Sequence, residues 1–169
     1  MRSIKFCYLK KKDKHLVLKW RNSYFVNRYL LKKKINPNEH NKWFLEKLKK
    51  NNSFAWIIFF NKEKIGLVQL EKLKKKTCNA GFYINKKKYS YLTFLIINLL
   101  HYKVFVELGY KFIESYINIK NIKIRKLNKL SGYKEGKKKS RDFINTRLTY
   151  SKWLKSLGYK YLKGNYGNI

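Results

Sequence analysis

Acid–base chemistry has few groups to work with in this chain. Its 169 residues hold 42 Lys and Arg against 9 Asp and Glu, a formal charge of +33 at neutral pH. Two of the carboxylates lie in β-rich runs that would hold a catalytic base rigidly. Glu114 shares one strand face, by alternation, with Tyr116 and Asn118, and Glu71 ends an earlier run. The other reading of Glu114 is a surface carboxylate among lysines. Arg21 offers a planar fork that can grip a phosphate bidentately, or else pair with Glu39. The two cysteines, Cys7 and Cys78, are far apart, and no CxxC or His/Cys cluster exists. A disulfide framework and a metal knuckle are therefore excluded, and a reduced cytoplasm is expected.

So large an excess of positive charge points to an anionic partner. Only six of the basic residues are arginines, however, and lysine is a point charge that reads phosphate geometry poorly. The lysines are spread through every segment without a recognisable nucleic-acid motif, so no specific nucleic-acid partner is expected. The N-terminus lacks the apolar stretch of a signal peptide, and the apolar run at Tyr91–Leu100 is shorter than the about 20 residues that span a bilayer. No membrane span is expected.

The elements that must position these groups read as follows. Ile4–Leu9 predicts a strand and Leu16–Tyr29 helical turns. Asn36-Pro37-Asn38-Glu39 is a helix start, with Asn36 as cap, Pro37 in the first position and Glu39 closing a capping box; the helix runs to about Lys49 with Trp43, Phe44 and Leu48 on its apolar face. Ser53–Phe60 and Lys64–Leu70 predict a hairpin through Asn61-Lys62-Glu63, and Asn79–Asn85 a third strand. A basic loop, Lys86–Ser90, precedes a buried helix over Tyr91–Leu108 that Gly109 ends in a left-handed cap. Lys111–Asn118 predicts a strand, Asn121 caps a helix ending at Gly132, and Tyr133–Lys134 with Phe143–Lys152 form a last hairpin. The expected class is α+β with a mixed sheet. Residues 1–152 are read as the domain, and 153–169 as a basic, aromatic tail whose glycines favour looseness.

Four motifs within this order resemble the GNAT superfamily of acetyl-CoA-dependent N-acetyltransferases. They are Trp20-Arg21-Asn22 with Ile35, Glu39-His40 and Trp43-Phe44; Ile65-Gly66 with Leu70; Gly81-Phe82-Tyr83; and Asn121 with Gly132-Tyr133 and Glu135-Gly136. The resemblance is nearest to the branch holding ribosomal-protein-type acetyltransferases and the enzymes that acetylate a UDP-4-amino-4,6-dideoxy sugar in pseudaminic acid biosynthesis. It implies a mostly antiparallel sheet flanked by helices, with splayed central strands, and acetyl-CoA as co-substrate.

The resemblance also assigns roles. Acetyl-CoA would lie along Phe82, Tyr83 and Ile84, reach Lys87, Lys88, Tyr89 and Ser90 with its phosphates, and touch Asn121, which caps its helix in any case. Backbone N–H groups from Phe82 to Asn85 would hold the oxyanion. Arg21, His40, Gln69 and Tyr83 would face a small anionic acceptor, a nucleotide sugar. Asn128 stands at the family's acidic tyrosine and Tyr116 at its base, which makes Glu114 and Asn128 the positions to inspect for catalysis. The loop Lys86–Ser90 lacks the glycines usual there. A protein N-terminal acetyltransferase, an inactive CoA binder and a basic nucleic-acid module are the alternatives.

Overall fold

The computed structural model describes residues 3–49 and 52–166. In chain order the elements are β1 (Ile4–Tyr8), α1 (Lys14–Asn22), α2 (Tyr24–Asn27), α3 (Pro37–Lys49), β2 (Ser53–Phe60), β3 (Glu63–Lys74), β4 (Thr77–Ile84), α4 (Thr93–Tyr102), β5 (Phe112–Asn118), α5 (Ile122–Leu130), β6 (Lys134–Ser140), β7 (Phe143–Thr149), α6 (Tyr150–Leu154) and α7 (Leu157–Tyr166). The class is the α+β one expected, and its strand pairings are mostly antiparallel. The chain forms two compact units, one built on the chain up to Lys72 with Ala80–Ser90, the other on Leu73–Asn79 with the chain from Tyr91 onward.

In the first unit the strands run in the order β1, β2, β3, β4. The β2–β3 turn places Asn61 (φ 47°) and Lys62 (φ 69°) in the left-handed region, the geometry whose twist matches a tight hairpin. α3 starts as its sequence requires: the Glu39 N–H donates to Asn36 Oδ1 at 2.9 Å, and the Asn36 N–H reaches Glu39 Oε2 at 3.4 Å. Phe44 from α3 joins Val17 and Trp20 from α1 over Ala55, Ile57 and Leu67, with Trp43, Leu48 and Tyr83 packed at the margin. Gly66 is required by close approach, since any Cβ there would strike the Tyr83 carbonyl oxygen of β4. Lys47, on the last turns of α3, is buried rather than solvated, and its ammonium donates to Glu71 at 2.9 Å. Glu71 is thereby committed to structure.

In the second unit the order is β4, β5, β7, β6. The parallel β4–β5 ladder consists of Thr77↔Phe112, Cys78↔Ile113 and Asn79↔Glu114, whereas β5 pairs with β7 along its full length to Asn118↔Phe143. β6 is longer than the dipeptide expected. The helix expected over Tyr91–Leu108 is longer and less uniform: a 3₁₀ segment, Lys87–Leu92, enters α4, and a π-helical turn, Lys103–Glu107, leaves it before Gly109 (φ 69°). This 21-residue run is long and apolar enough to cross a membrane, but 56% of its most apolar stretch is buried, as in the core helix of a folded domain.

Over 153–166 the expected loose tail is instead core, and 167–169 lie outside the described residues. Trp153 and Leu162 have no exposure, and the Trp153 indole N–H donates to Asn98 Oδ1 at 3.2 Å. Gly158, which had argued for looseness, lies inside α7 and leaves room for Asn98, whose amide a Cβ would strike.

His101 is buried beside Trp153, with its Nε2 hydrogen-bonded to the Tyr133 hydroxyl at 3.2 Å. Burial pushes its pKa down to about 3. An unfolded histidine titrates near ~6.5, so between that pH and about 3 the unfolded chain takes up a proton that the native chain refuses, and stability falls as pH falls. At ~1.4 kcal/mol per pKa unit the loss approaches ~4 kcal/mol. Urea midpoints at pH 7 and pH 4, compared between wild type and His101→Gln, should show this part of the acid sensitivity removed in the variant.

Candidate active site

Within the first unit, Arg21 ends α1 and Tyr83 stands on β4. Arg21 Nη2 donates to the Lys32 carbonyl at 2.6 Å, while Nη1 is buried without a hydrogen-bond partner. The Tyr83 hydroxyl and Asn85 Oδ1 are buried and partnerless as well. Burial lowers the Arg21 pKa and the Tyr83 phenol partly restores it; burial raises the Tyr83 pKa, with Arg21 opposing. The phenol is therefore a neutral O–H donor within the field of a half-buried cation. Orphaned polar groups of this kind are costly in a folded interior. The alternative pairing of Arg21 with Glu39 does not form, because Glu39 takes Lys32 at 2.5 Å. Residues 28–36 form a strap held by Arg21 at Lys32 and by Asn22, whose amide bonds Ile35 twice, at 2.8 and 2.9 Å.

His40 is placed otherwise than expected. Its Nε2–H donates to the Lys14 carbonyl at 2.9 Å and its ring stacks on Trp43, so it joins α1 to α3; burial lowers its pKa, which keeps the ring neutral. Gln69 lies half-buried on β3 opposite Ala55.

The basic loop is not a free phosphate cradle. Lys86 and Lys88 reach the Glu63 carboxylate at 2.7 and 3.7 Å, and the Tyr89 hydroxyl donates to it as well. Lys86 first, then Tyr89, brings the Glu63 pKa down to about 2. Tyr89 is buried edge-on against Phe60, while Lys87 is exposed and Ser90 half-buried. Of the expected oxyanion donors, the Asn85 N–H is spent on the Ile65 carbonyl at 2.8 Å. Strand alternation sends the Tyr83 N–H the same way and leaves the Phe82 and Ile84 N–H groups on the opposite edge of β4.

Within the second unit, Glu114 lies opposite Arg147 with 3.6 Å between carboxylate and guanidinium, and is about half exposed. Tyr116 is exposed under Lys139 Nζ, 3.5 Å from its ring centre. Asn128 is buried near the end of α5, where its carbonyl accepts the Ser131 and Tyr133 N–H groups; an amide cannot act as the general acid that a tyrosine there would supply. Asn121 caps α5, accepting the Ile124 N–H at 3.4 Å. Among the described residues no cluster of three or more His, Cys, Asp or Glu is placed to hold a metal.

Sequence reasoning overlooked Asn85, although it lies one alternation step from Tyr83. It also overlooked Glu63, whose role depends on a turn and a later segment meeting.

Comparison with known proteins agrees with this fold. The acetyltransferase (GNAT) domain model matches residues 6–134. The acetyltransferase PseH of Campylobacter jejuni is 27% identical over 150 residues, covering 86% of this chain and 92% of that protein. Among solved structures, the Vibrio cholerae spermidine N-acetyltransferase in complex with CoA and spermine superposes with a TM-score of 0.79 at 16% identity, over 89% of this chain and 98% of that one. The C. jejuni PseH complex with acetyl coenzyme A does so with a TM-score of 0.68 at 18% identity, over 88% and 99%.

Proposed function

The chain belongs to the acetyltransferase (GNAT) domain family, and from that premise we propose that it transfers an acetyl group from acetyl-CoA to the amine of a small anionic acceptor, a UDP-linked 4-amino-4,6-dideoxy sugar. The observation that carries the acceptor class is the buried, partnerless Nη1 of Arg21 beside the neutral Tyr83 hydroxyl. A half-buried cation with one buried, unpartnered N–H is best completed by a phosphate or another anion, and a second donor alongside adds direction. The similarity to PseH and the formal charge of +33 favour the same acceptor. A polyamine acceptor would meet repulsion instead.

Acetyl-CoA, when bound, supplies the acetyl thioester. The free edge of β4 suits its amide-rich arm, because the Phe82 and Ile84 N–H groups point away from β3. In this reading those N–H groups donate to the carbonyl oxygen as it gains charge. Arg21 and Tyr83 hold the acceptor, which reaches them as the strap at 28–36 shifts, and the proton that the amine loses passes to solvent. Asn128 supplies no proton, and none is essential: a thiol of ordinary pKa, ~8.5, departs as thiolate without a strong acid.

Thiol release should be followed with acetyl-CoA and, in turn, a UDP-4-amino-4,6-dideoxy sugar, an N-terminal ribosomal-protein peptide and spermine. The expected result is turnover with the sugar at least ~10²-fold above the others in kcat/KM, with the product 4-N-acetylated by mass spectrometry. Preference for the peptide would overturn the acceptor assignment, and no turnover with any amine would leave a CoA-binding fold.

A further inference from the structure

We propose that a cavity at the C-terminal end of α5 is a docking site for an acidic segment of another protein that carries one bulky apolar side chain. The cavity, about 760 Å³, belongs wholly to the second unit. Leu130 from α5 and Leu157 from the start of α7 form its apolar floor, at 43% and 59% exposure. Gly132 (φ 92°) builds the adjoining wall, because its lack of a Cβ lets the turn after α5 approach the Lys152 carbonyl. Around the floor stand Lys126, Lys129, Lys152 and Lys155, with no carboxylate in the lining.

At one edge of this cluster two like charges meet. Lys134 approaches Lys152 closely enough to lower the pKa of Lys152, and Lys134 is itself paired in register with Arg147. Glu135, whose field reaches Lys129, is committed to Arg125 by two hydrogen bonds of 2.7 and 2.8 Å. The dipole of α5 accounts for a cation in its last turn, not for four around a depression. Carboxylates from outside would relieve the crowding, and the two exposed leucines would pack against an apolar side chain.

The shape and chemistry favour a protein segment over other anions. A membrane-binding face needs an extended apolar surface, and Leu130 and Leu157 are the only apolar side chains in the lining. A nucleic-acid site would be expected to add aromatic stacking or arginine forks, and the lining has neither. A second copy of this chain would bring like charge. The inference does not depend on the acceptor assigned above.

The test is fluorescence anisotropy with the full chain and a labelled peptide of aspartates and glutamates around one phenylalanine. The comparisons are the same peptide with serine for phenylalanine, a single-stranded oligonucleotide and anionic vesicles. The expected result is peptide binding weakened ~10-fold by loss of the phenylalanine, which is worth ~1.5 kcal/mol or more when buried. Lys152→Glu with Lys155→Glu should weaken it ~10-fold or more, while Lys5→Glu with Lys11→Glu, the same charge change in the first unit, should weaken it ~2-fold at most. Equal loss from both double variants would reduce the effect to diffuse attraction and overturn the proposal. So would indifference to the phenylalanine, or a pocket-dependent loss seen only with the oligonucleotide or only with vesicles.

Discussion

Arg21→Ala should lower kcat/KM for a UDP-linked amino sugar by ~10²- to 10³-fold while leaving the thermal stabilisation by acetyl-CoA intact. The guanidinium already spends Nη2 on the Lys32 carbonyl at 2.6 Å, so what the acceptor can take is Nη1, buried and open. A hydrogen bond to a charged group is worth ~1.5–3 kcal/mol, and in a buried setting the loss of the positive charge adds to it. Arg21→Lys keeps the charge but not the fork and should still lose ~10-fold. The variant also loses its bond to the strap, worth ~1 kcal/mol, which makes a stability control necessary. The decisive comparison is between the anionic sugar and a neutral primary amine at saturating acetyl-CoA. A loss confined to the sugar identifies anion recognition; equal loss for both would reduce Arg21 to a strut for residues 28–36.

Ending the chain at Lys152 should abolish cooperative folding of the second unit. The cut removes Trp153, which lies between the rings of Phe105 at 5.6 Å and Tyr159 at 5.0 Å and donates to Asn98, together with the fully buried Leu162. Truncating a buried Trp to Ala costs ~3–5 kcal/mol and a buried Leu ~2–5 kcal/mol. Their sum rivals the whole ~5–15 kcal/mol that holds a typical domain together. Asn98 would also lose its indole donor. Near-UV circular dichroism and a urea titration of the 1–152 chain should show lost tertiary signal and a lowered or absent transition. An unchanged midpoint would make the last helices an accessory.

Much of the site's framework was legible because its determinants are local. The capping box of α3, the Asn121 cap, the left-handed exit at Gly109 and the helix end near Gly132 each need only a few neighbouring residues, and each formed as read. β6 was nearly invisible because every one of its residues, Lys134–Ser140, is exposed, so it carries no alternation; it is a strand because β7 pairs with it. Lys47 sits near a helix C-terminus, where a cation on the surface would suit the dipole, and only the arrival of Glu71 from β3 turns it inward.

The same division runs through the chemistry. Residue types and spacing by themselves determined the family resemblance and the α+β class, since these depend on identities and short-range order. Tertiary structure alone decided that His40 is tied to Lys14, that Glu63 gathers Lys86, Lys88 and Tyr89, and that Gly158 makes room for Asn98. The physical reason is that a side chain's role follows from which of its donors and acceptors are already satisfied, and those partners come from segments tens of residues away.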